Sequence, residues 1–150
     1  MNRKTRLTIL FVFIVMIFAL PATALASKRI YQATLTGQGS ARGSATLGNN
    51  PDGTIRFFVS VRNLTGDPTR MHIHSSADAS IMVTLCDDAG LSGVPLCPPN
   101  NSTLEGVVTP QMMHVSGATL SNALDDSATY VNVHTAAFPG GEISGTLIPR

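Results

Sequence analysis

Three of the four histidines lie in segments whose residues alternate between apolar and polar, as in a β-strand. The first segment, residues 71–74, reads MHIH, and the second, residues 130–134, reads YVNVH. Because side chains alternate across a strand, His72 and His74 share one face, and His134 points away from the core face of its own strand. If the two strands are neighbours, the three imidazoles converge, and three imidazoles are a sufficient ligand set for Zn²⁺ or Cu²⁺.

Other side chains could extend such a site, and a simpler explanation also exists. His114 lies in the least periodic part of the chain and could reach the same face, while Asp78 and Glu142 could add carboxylate ligands. An H-x-H pattern on a polar strand face, or histidines bonded to loop backbone, requires no metal. The sequence therefore leaves a copper or zinc site and a purely structural histidine cluster both open.

The two cysteines, Cys86 and Cys97, are predicted to form one disulfide. The loop between them, residues 87–96, is rich in Gly, Ser and Pro and needs a constraint. Closing so short a loop stabilises the fold by about 3 kcal/mol in the chain-entropy model. A pair of thiolate metal ligands is the alternative, but the spacing is not that of a C-x-x-C motif.

No catalytic residue is predicted from the remaining motifs. The chain has no G-x-S-x-G motif for a serine nucleophile, and both cysteines are assigned to the disulfide. The adjacent acids at positions 87–88 and 125–126 are expected to be solvated turn residues or helix caps, since neighbouring loop carboxylates point apart. A metal-dependent redox activity of the histidine cluster is the one enzymatic interpretation that stays open.

Short strands separated by turn residues must position these side chains. Seven or eight strands are predicted, with an all-β sandwich or barrel as the expected fold. Residues 118–124 are predicted to form one or two helical turns, and Pro-Gly-Gly at 139–141 indicates a hairpin connection. The strand segments are 31–35, 45–47, 54–62, 70–74, 80–86, 103–108, 128–135 and 142–148.

The first 26 of the 150 residues have the pattern of a secretory signal peptide. Three basic residues precede the apolar stretch 7–20, and Ala24-Leu25-Ala26 forms a cleavage site. Cleavage after Ala26 leaves a domain of residues 27–150 that contains seven basic and nine acidic residues. That charge balance argues against nucleic-acid binding. The signal-peptide pattern predicts a secreted or periplasmic protein that contacts the membrane only during export. A retained N-terminal anchor is the alternative.

Three segments together resemble the chordin-type, or CHRD, domain. They are MHIH at 71–74, YVNVHT at 130–135 and PGGEISGTL at 139–147. The family pattern has an H-I-H strand in mid-domain and closes with Y-V-N-V-H-T, a short loop, G-E-I-R-G and an apolar strand. The resemblance covers nearly all of residues 27–150. Where the family usually has Arg after G-E-I, this chain has Ser144, so no role of that arginine is carried over.

This resemblance implies an immunoglobulin-like antiparallel β-sandwich of seven or eight strands. The arrangement of its histidines is also similar to the copper site of Cu/Zn superoxide dismutases, which is an analogy at the level of the fold. The resemblance further implies an exported, non-enzymatic binding module whose partner is an unknown extracellular or periplasmic protein or ligand. Asn132, Thr135 and Glu142 of the closing motif would then be either a hydrogen-bonded structural network or the surface that contacts the partner.

Overall fold

A computed structural model describes residues 27–150, so the predicted signal peptide lies outside the described residues. The described part contains nine strands, one α-helix and a short 3-10 turn. The strands are β1 (Arg29–Gly37), β2 (Arg42–Asn49), β3 (Ile55–Arg62), β4 (Pro68–Ser75), β5 (Ile81–Asp87), β6 (Thr103–Val107), β7 (Thr129–Thr135), β8 (Ile143–Thr146) and β9 (Ile148–Pro149). The 3-10 turn is Pro110–Met112, and α1 is Gly117–Asp125.

All strands belong to one antiparallel sheet with the order β5-β4-β7-β8-β1-β2-β3-β6, and β9 pairs with β1. The predicted all-β class is therefore confirmed. The last predicted strand is divided into β8 and β9, because the amide of Leu147 donates to the carbonyl of Thr129 on β7 while Ile148 pairs with Gln32 on β1. The sheet curls around one core, since buried residues from its two halves form a single cluster.

Strand β3 shows how the sequence pattern builds this core. Ile55, Phe57 and Val59 alternate with outward-facing residues, and all three are buried. Phe58, which interrupts the alternation of apolar and polar residues, faces outward and is 45% exposed. The core side of the sheet is therefore set by the period-2 pattern and not by hydrophobicity alone.

Helix α1 closes one end of the core. Ser116 caps it by accepting a hydrogen bond from the amide of Thr119, and Leu120 and Leu124 are fully buried. The helix has nine residues, and within residues 27–150 no helix is long and apolar enough to cross a membrane.

The disulfide between Cys86 and Cys97 is present, as predicted. It ties the end of β5 to the loop that leads towards β6. Cys86 is fully buried and packs in the core cluster, so the bridge anchors a loop that has few apolar contacts of its own.

The histidine-bearing strands are neighbours. Strand β4 lies between β5 and β7, and its register places His72 opposite Asn132, His74 opposite Tyr130 and Arg70 opposite His134. The side chains that alternate with these residues on β4 face the core, where Met71 and Ile73 are fully buried. Against β5 the register of β4 shifts immediately before His72 and again before His74. Such irregularities re-aim side chains, and here they flank both histidines.

Candidate metal centre

The three strand-borne histidines are buried, although they lie on the side of the strands opposite the core. His72 is 6% exposed, and His74 and His134 are each 8% exposed. The ring of Tyr130 stacks on that of His74 at a centroid distance of 5.1 Å and an interplanar angle of 11°. Turns that follow β4 and β7 also cover this face. The predicted sharing of a face holds for the three histidines, but alternation does not show what covers that face.

The three imidazoles converge into one group, which we call the histidine triad. Nδ1 of His72 lies 3.2 Å from Nε2 of His134. One ring nitrogen from each of His72, His74 and His134 lies within 4.8 Å of the other two. Among the residues that the structure describes, the triad is the one group of His, Cys, Asp or Glu side chains close enough to share a metal ion.

Backbone carbonyls orient two of the three rings. Nδ1 of His74 donates to the carbonyl of Ala79, and Nδ1 of His134 donates to the carbonyl of Pro139, each at 2.9 Å. A carbonyl only accepts, so in both rings Nδ1 carries the hydrogen and Nε2 keeps its lone pair. Metal-binding histidines are usually held in this way, with the second nitrogen donating to a backbone carbonyl or carboxylate. Nε2 of His74 is buried and has no hydrogen-bond partner.

Burial favours the uncharged form of His72 and His134. Desolvation, together with the neighbouring rings of His134 and His74, lowers the pKa of His72 to about 4. Desolvation also lowers the pKa of His134, although its bond to the Pro139 carbonyl acts in the opposite direction. Neutral imidazole is the form that binds metals, so at neutral pH both rings are already in that form.

The turn after β4 holds one of the two orienting carbonyls under backbone strain. Ala79 has φ of 58°, a left-handed conformation that side chains other than glycine rarely adopt. Asp78 accepts hydrogen bonds from the amide and hydroxyl of Ser80 and is exposed, so it stabilises the turn and does not reach the triad. The strain is thus located where the Ala79 carbonyl meets His74.

His114 stays outside the triad. Its Nε2 lies 2.9 Å from the hydroxyl oxygen of Thr84, and Thr84 is the residue opposite His72 on β5. The fourth histidine is therefore connected to the neighbour of a triad member rather than to the triad itself.

The closing motif forms internal hydrogen bonds. Glu142 is 2% exposed and accepts from the amide and hydroxyl of Thr65, at 2.8 and 2.9 Å, and from the hydroxyl of Thr135, at 2.7 Å. Asn132 donates from Nδ2 to the carbonyl of Gly140. Thr65 was not singled out by the sequence, because it is 77 positions from Glu142 and belongs to no motif. These bonds fasten two loops to the sheet and leave the Glu142 carboxylate outside the triad.

One ion pair lies beside the triad. Arg70, opposite His134, places its Nε 3.4 Å from a carboxylate oxygen of Asp87. The other Asp87 oxygen accepts from the amide of Ala89. The two charges offset each other, so this pair contributes no net negative charge to the triad.

The fold and the site together define a small disulfide-bonded β-domain that encloses a group of three imidazoles. Residues 23–147 match the family model of the CHRD domain, and the chain belongs to that family. The resemblance carried by the MHIH, YVNVHT and PGGEISGTL segments is thereby confirmed. Neither the comparison with curated proteins nor the comparison with solved structures found a match.

Proposed function

We propose that this chain is an exported, non-catalytic binding module of the CHRD family. Family membership and the disulfide support the proposal, because disulfides persist in oxidising compartments such as the periplasm and the extracellular space. The partner is an extracellular or periplasmic protein or ligand.

The observation that carries the proposal is the internal use of the family's closing motif. The side chains of Asn132, Thr135 and Glu142 are buried, and each is hydrogen-bonded within the chain. A motif whose polar groups are engaged in this way stabilises the scaffold and presents no free catalytic group. We therefore expect the partner to bind an exposed surface outside the closing motif.

Replacing Glu142 tests this structural role. Glu142→Ala removes the acceptor for three hydrogen bonds and leaves the buried Thr135 hydroxyl without that partner, so we expect the free energy of unfolding to fall by about 2 kcal/mol. Glu105→Ala, an exposed glutamate on β6, is the matched control and should change it by less than about 0.5 kcal/mol. Urea unfolding measures both. An unchanged stability of Glu142→Ala would contradict a structural role, and the closing motif would then be a candidate for ligand binding.

Export is tested on the cellular protein. Cell fractionation should place the chain in the periplasm or the medium, and sequencing of its N-terminus should begin at Ser27. A protein recovered from the cytoplasm with its first 26 residues intact would refute export.

Metal binding by the histidine triad is a second candidate function, and the unpartnered Nε2 of His74 favours it. A buried polar atom without a partner costs about 1–3 kcal/mol, and a metal ion would satisfy it. Imidazole ligands suit copper and zinc, which are the candidate ions.

Metal analysis tests the second candidate. The protein purified from cells grown with added copper or zinc should contain one equivalent of metal, and a His72→Ala, His74→Ala double variant should contain almost none. His114→Ala, which changes a histidine outside the triad, should keep the metal. Equal metal content in the wild type and the double variant would reject the site.

A further inference from the structure

We propose that the histidine triad binds copper as Cu⁺, through Nδ1 of His72 and Nε2 of His74 and His134. The proposal rests on the second candidate function and adds the ion, its charge and the three ligand atoms. Four features of the triad carry it, namely the nitrogens left free by the backbone, their spacing, the charge of their surroundings and the number of ligands.

The backbone selects the ligand nitrogens. Because Nδ1 of His74 and Nδ1 of His134 both donate to carbonyls, only Nε2 of each ring has a lone pair to offer. Nε2 of His134 already faces Nδ1 of His72. Because Nε2 of His134 keeps its lone pair, Nδ1 of His72 carries the hydrogen of that contact. A metal between these two nitrogens would replace the contact once that hydrogen has moved to Nε2 of His72, and it would give Nε2 of His74 the partner it lacks.

The spacing of the nitrogens fits a shared ion. Two nitrogens that bind one metal at about 2.0–2.1 Å are roughly 3.3 Å apart at a tetrahedral angle and roughly 3.5 Å apart at a trigonal one. The observed separation between His72 and His134 is 3.2 Å. One nitrogen from each of the three rings lies within 4.8 Å of the other two, so a movement of up to about 1.5 Å by one ring completes the site.

The charge of the surroundings favours a monovalent ion. All three ligands are neutral, and no Asp or Glu belongs to the ligand group among the described residues. Glu142 is occupied by Thr65 and Thr135, and Asp87 is paired with Arg70. The cost of placing an ion in a poorly solvated site grows with the square of its charge, so Cu⁺ bears roughly a quarter of the cost of a divalent ion.

The number of ligands favours the same ion. Zn²⁺ is almost always four-coordinate, and the triad supplies three nitrogens. A fourth ligand would have to be water at a position where each ring is less than one-tenth exposed. Cu⁺ is satisfied by three nitrogens and needs no water. A divalent ion would therefore require compensating charge and a water ligand that Cu⁺ does not require.

Competition titrations under anaerobic conditions test the proposal. The purified wild-type protein is titrated against bathocuproine disulfonate for Cu⁺, and against nitrilotriacetate for Cu²⁺ and Zn²⁺. We expect one equivalent of Cu⁺ with an affinity at least tenfold higher than that for either divalent ion. The X-ray absorption edge of the copper-loaded protein should report three nitrogen ligands.

Variants test the ligand assignment. His74→Gln and His134→Gln should each lower the affinity for Cu⁺ at least a hundredfold, whereas His114→Ala should leave it unchanged. Circular dichroism and urea unfolding of the metal-free variants show whether each one is folded. If His74→Gln is folded and binds Cu⁺ like the wild type, the ligand assignment is overturned.

The outcomes separate this proposal from the functions on which it rests. Zn²⁺ or Cu²⁺ bound as tightly as Cu⁺ overturns the preference for a monovalent ion but leaves a metal-binding triad. No metal bound in any titration overturns both this proposal and the second candidate function, and leaves the exported binding module untouched.

Discussion

Acidification of the metal-free protein should destabilise it, because His72 must stay neutral to remain buried. Its pKa is about 4 in the folded protein, against 6.5 for an unperturbed histidine. As the pH falls below 6.5, the unfolded chain takes up a proton at this position and the folded chain does not. Stability is therefore complete above pH 6.5 and is lost progressively down to about pH 4, where both states are protonated.

The size of the loss follows from the difference between the two pKa values. One pKa unit corresponds to about 1.4 kcal/mol, so the full difference is worth about 3 kcal/mol. Between pH 7 and pH 5 the loss from His72 alone is about 2 kcal/mol. The lowered pKa of His134 adds a loss of the same sign. Solvent-exposed carboxylates titrate mostly below pH 5, so a change in stability between pH 7 and pH 5 reports mainly on the histidines.

Urea unfolding at half-unit steps from pH 7 to pH 5, with a chelator present to keep the protein metal-free, measures the loss. The same series is recorded for His72→Asn, whose side chain does not titrate. We expect the slope of unfolding free energy against pH to be smaller in the variant by up to about 1.4 kcal/mol per pH unit.

Two results would refute this reasoning. A wild-type stability that is constant from pH 7 to pH 5 would mean that His72 is protonated equally easily in the folded and unfolded states. A His72→Asn variant with the wild-type slope would assign the pH dependence to other groups.

Three further substitutions test the loops that frame the site, each by urea unfolding. Ala79→Gly should raise the free energy of unfolding by about 0.5–1 kcal/mol, because glycine adopts the φ of 58° without strain; a loss would show that the turn is not strained. Gly141→Ala should lower it by about 2–3 kcal/mol, since φ is 118° and the new Cβ would collide with the Asn132 amide. Cys86→Ser combined with Cys97→Ser should lower the free energy of unfolding by about 3 kcal/mol, and a double variant as stable as the wild type would show that the disulfide does not stabilise the fold.

The period-2 pattern predicts the strands and their faces because side chains alternate across every strand, which is a local property of the chain. It places Ile55, Phe57 and Val59 in the core and leaves Phe58 outside, as the structure has them. The adjacency of β4 and β7 is a different matter. Nothing within either strand specifies its neighbour, so the sequence could state the adjacency only as a condition for the three imidazoles to converge.

Covering of the site could not be predicted in this way. The turns that bury the triad orient His74 and His134 through backbone carbonyls, which every residue has, so the sequence does not show which carbonyl each ring contacts. The position of Glu142 likewise depends on Thr65, which is distant in the chain and close only after the sheet has curled. The sequence allows His114 as a candidate ligand, but its position beside Thr84 follows from the path of an irregular segment.

The carbonyls that orient His74 and His134 come from residues five positions further along the chain in each case, Ala79 and Pro139. Each ring is thus aimed by the turn that ends its own strand, not by a distant part of the protein. A strand-end histidine and its turn form a self-contained unit of six residues. Such a unit could be transplanted, turn included, onto the strand ends of another antiparallel sheet, and two grafted units side by side would offer a designer pre-aimed imidazoles without rebuilding the host's core.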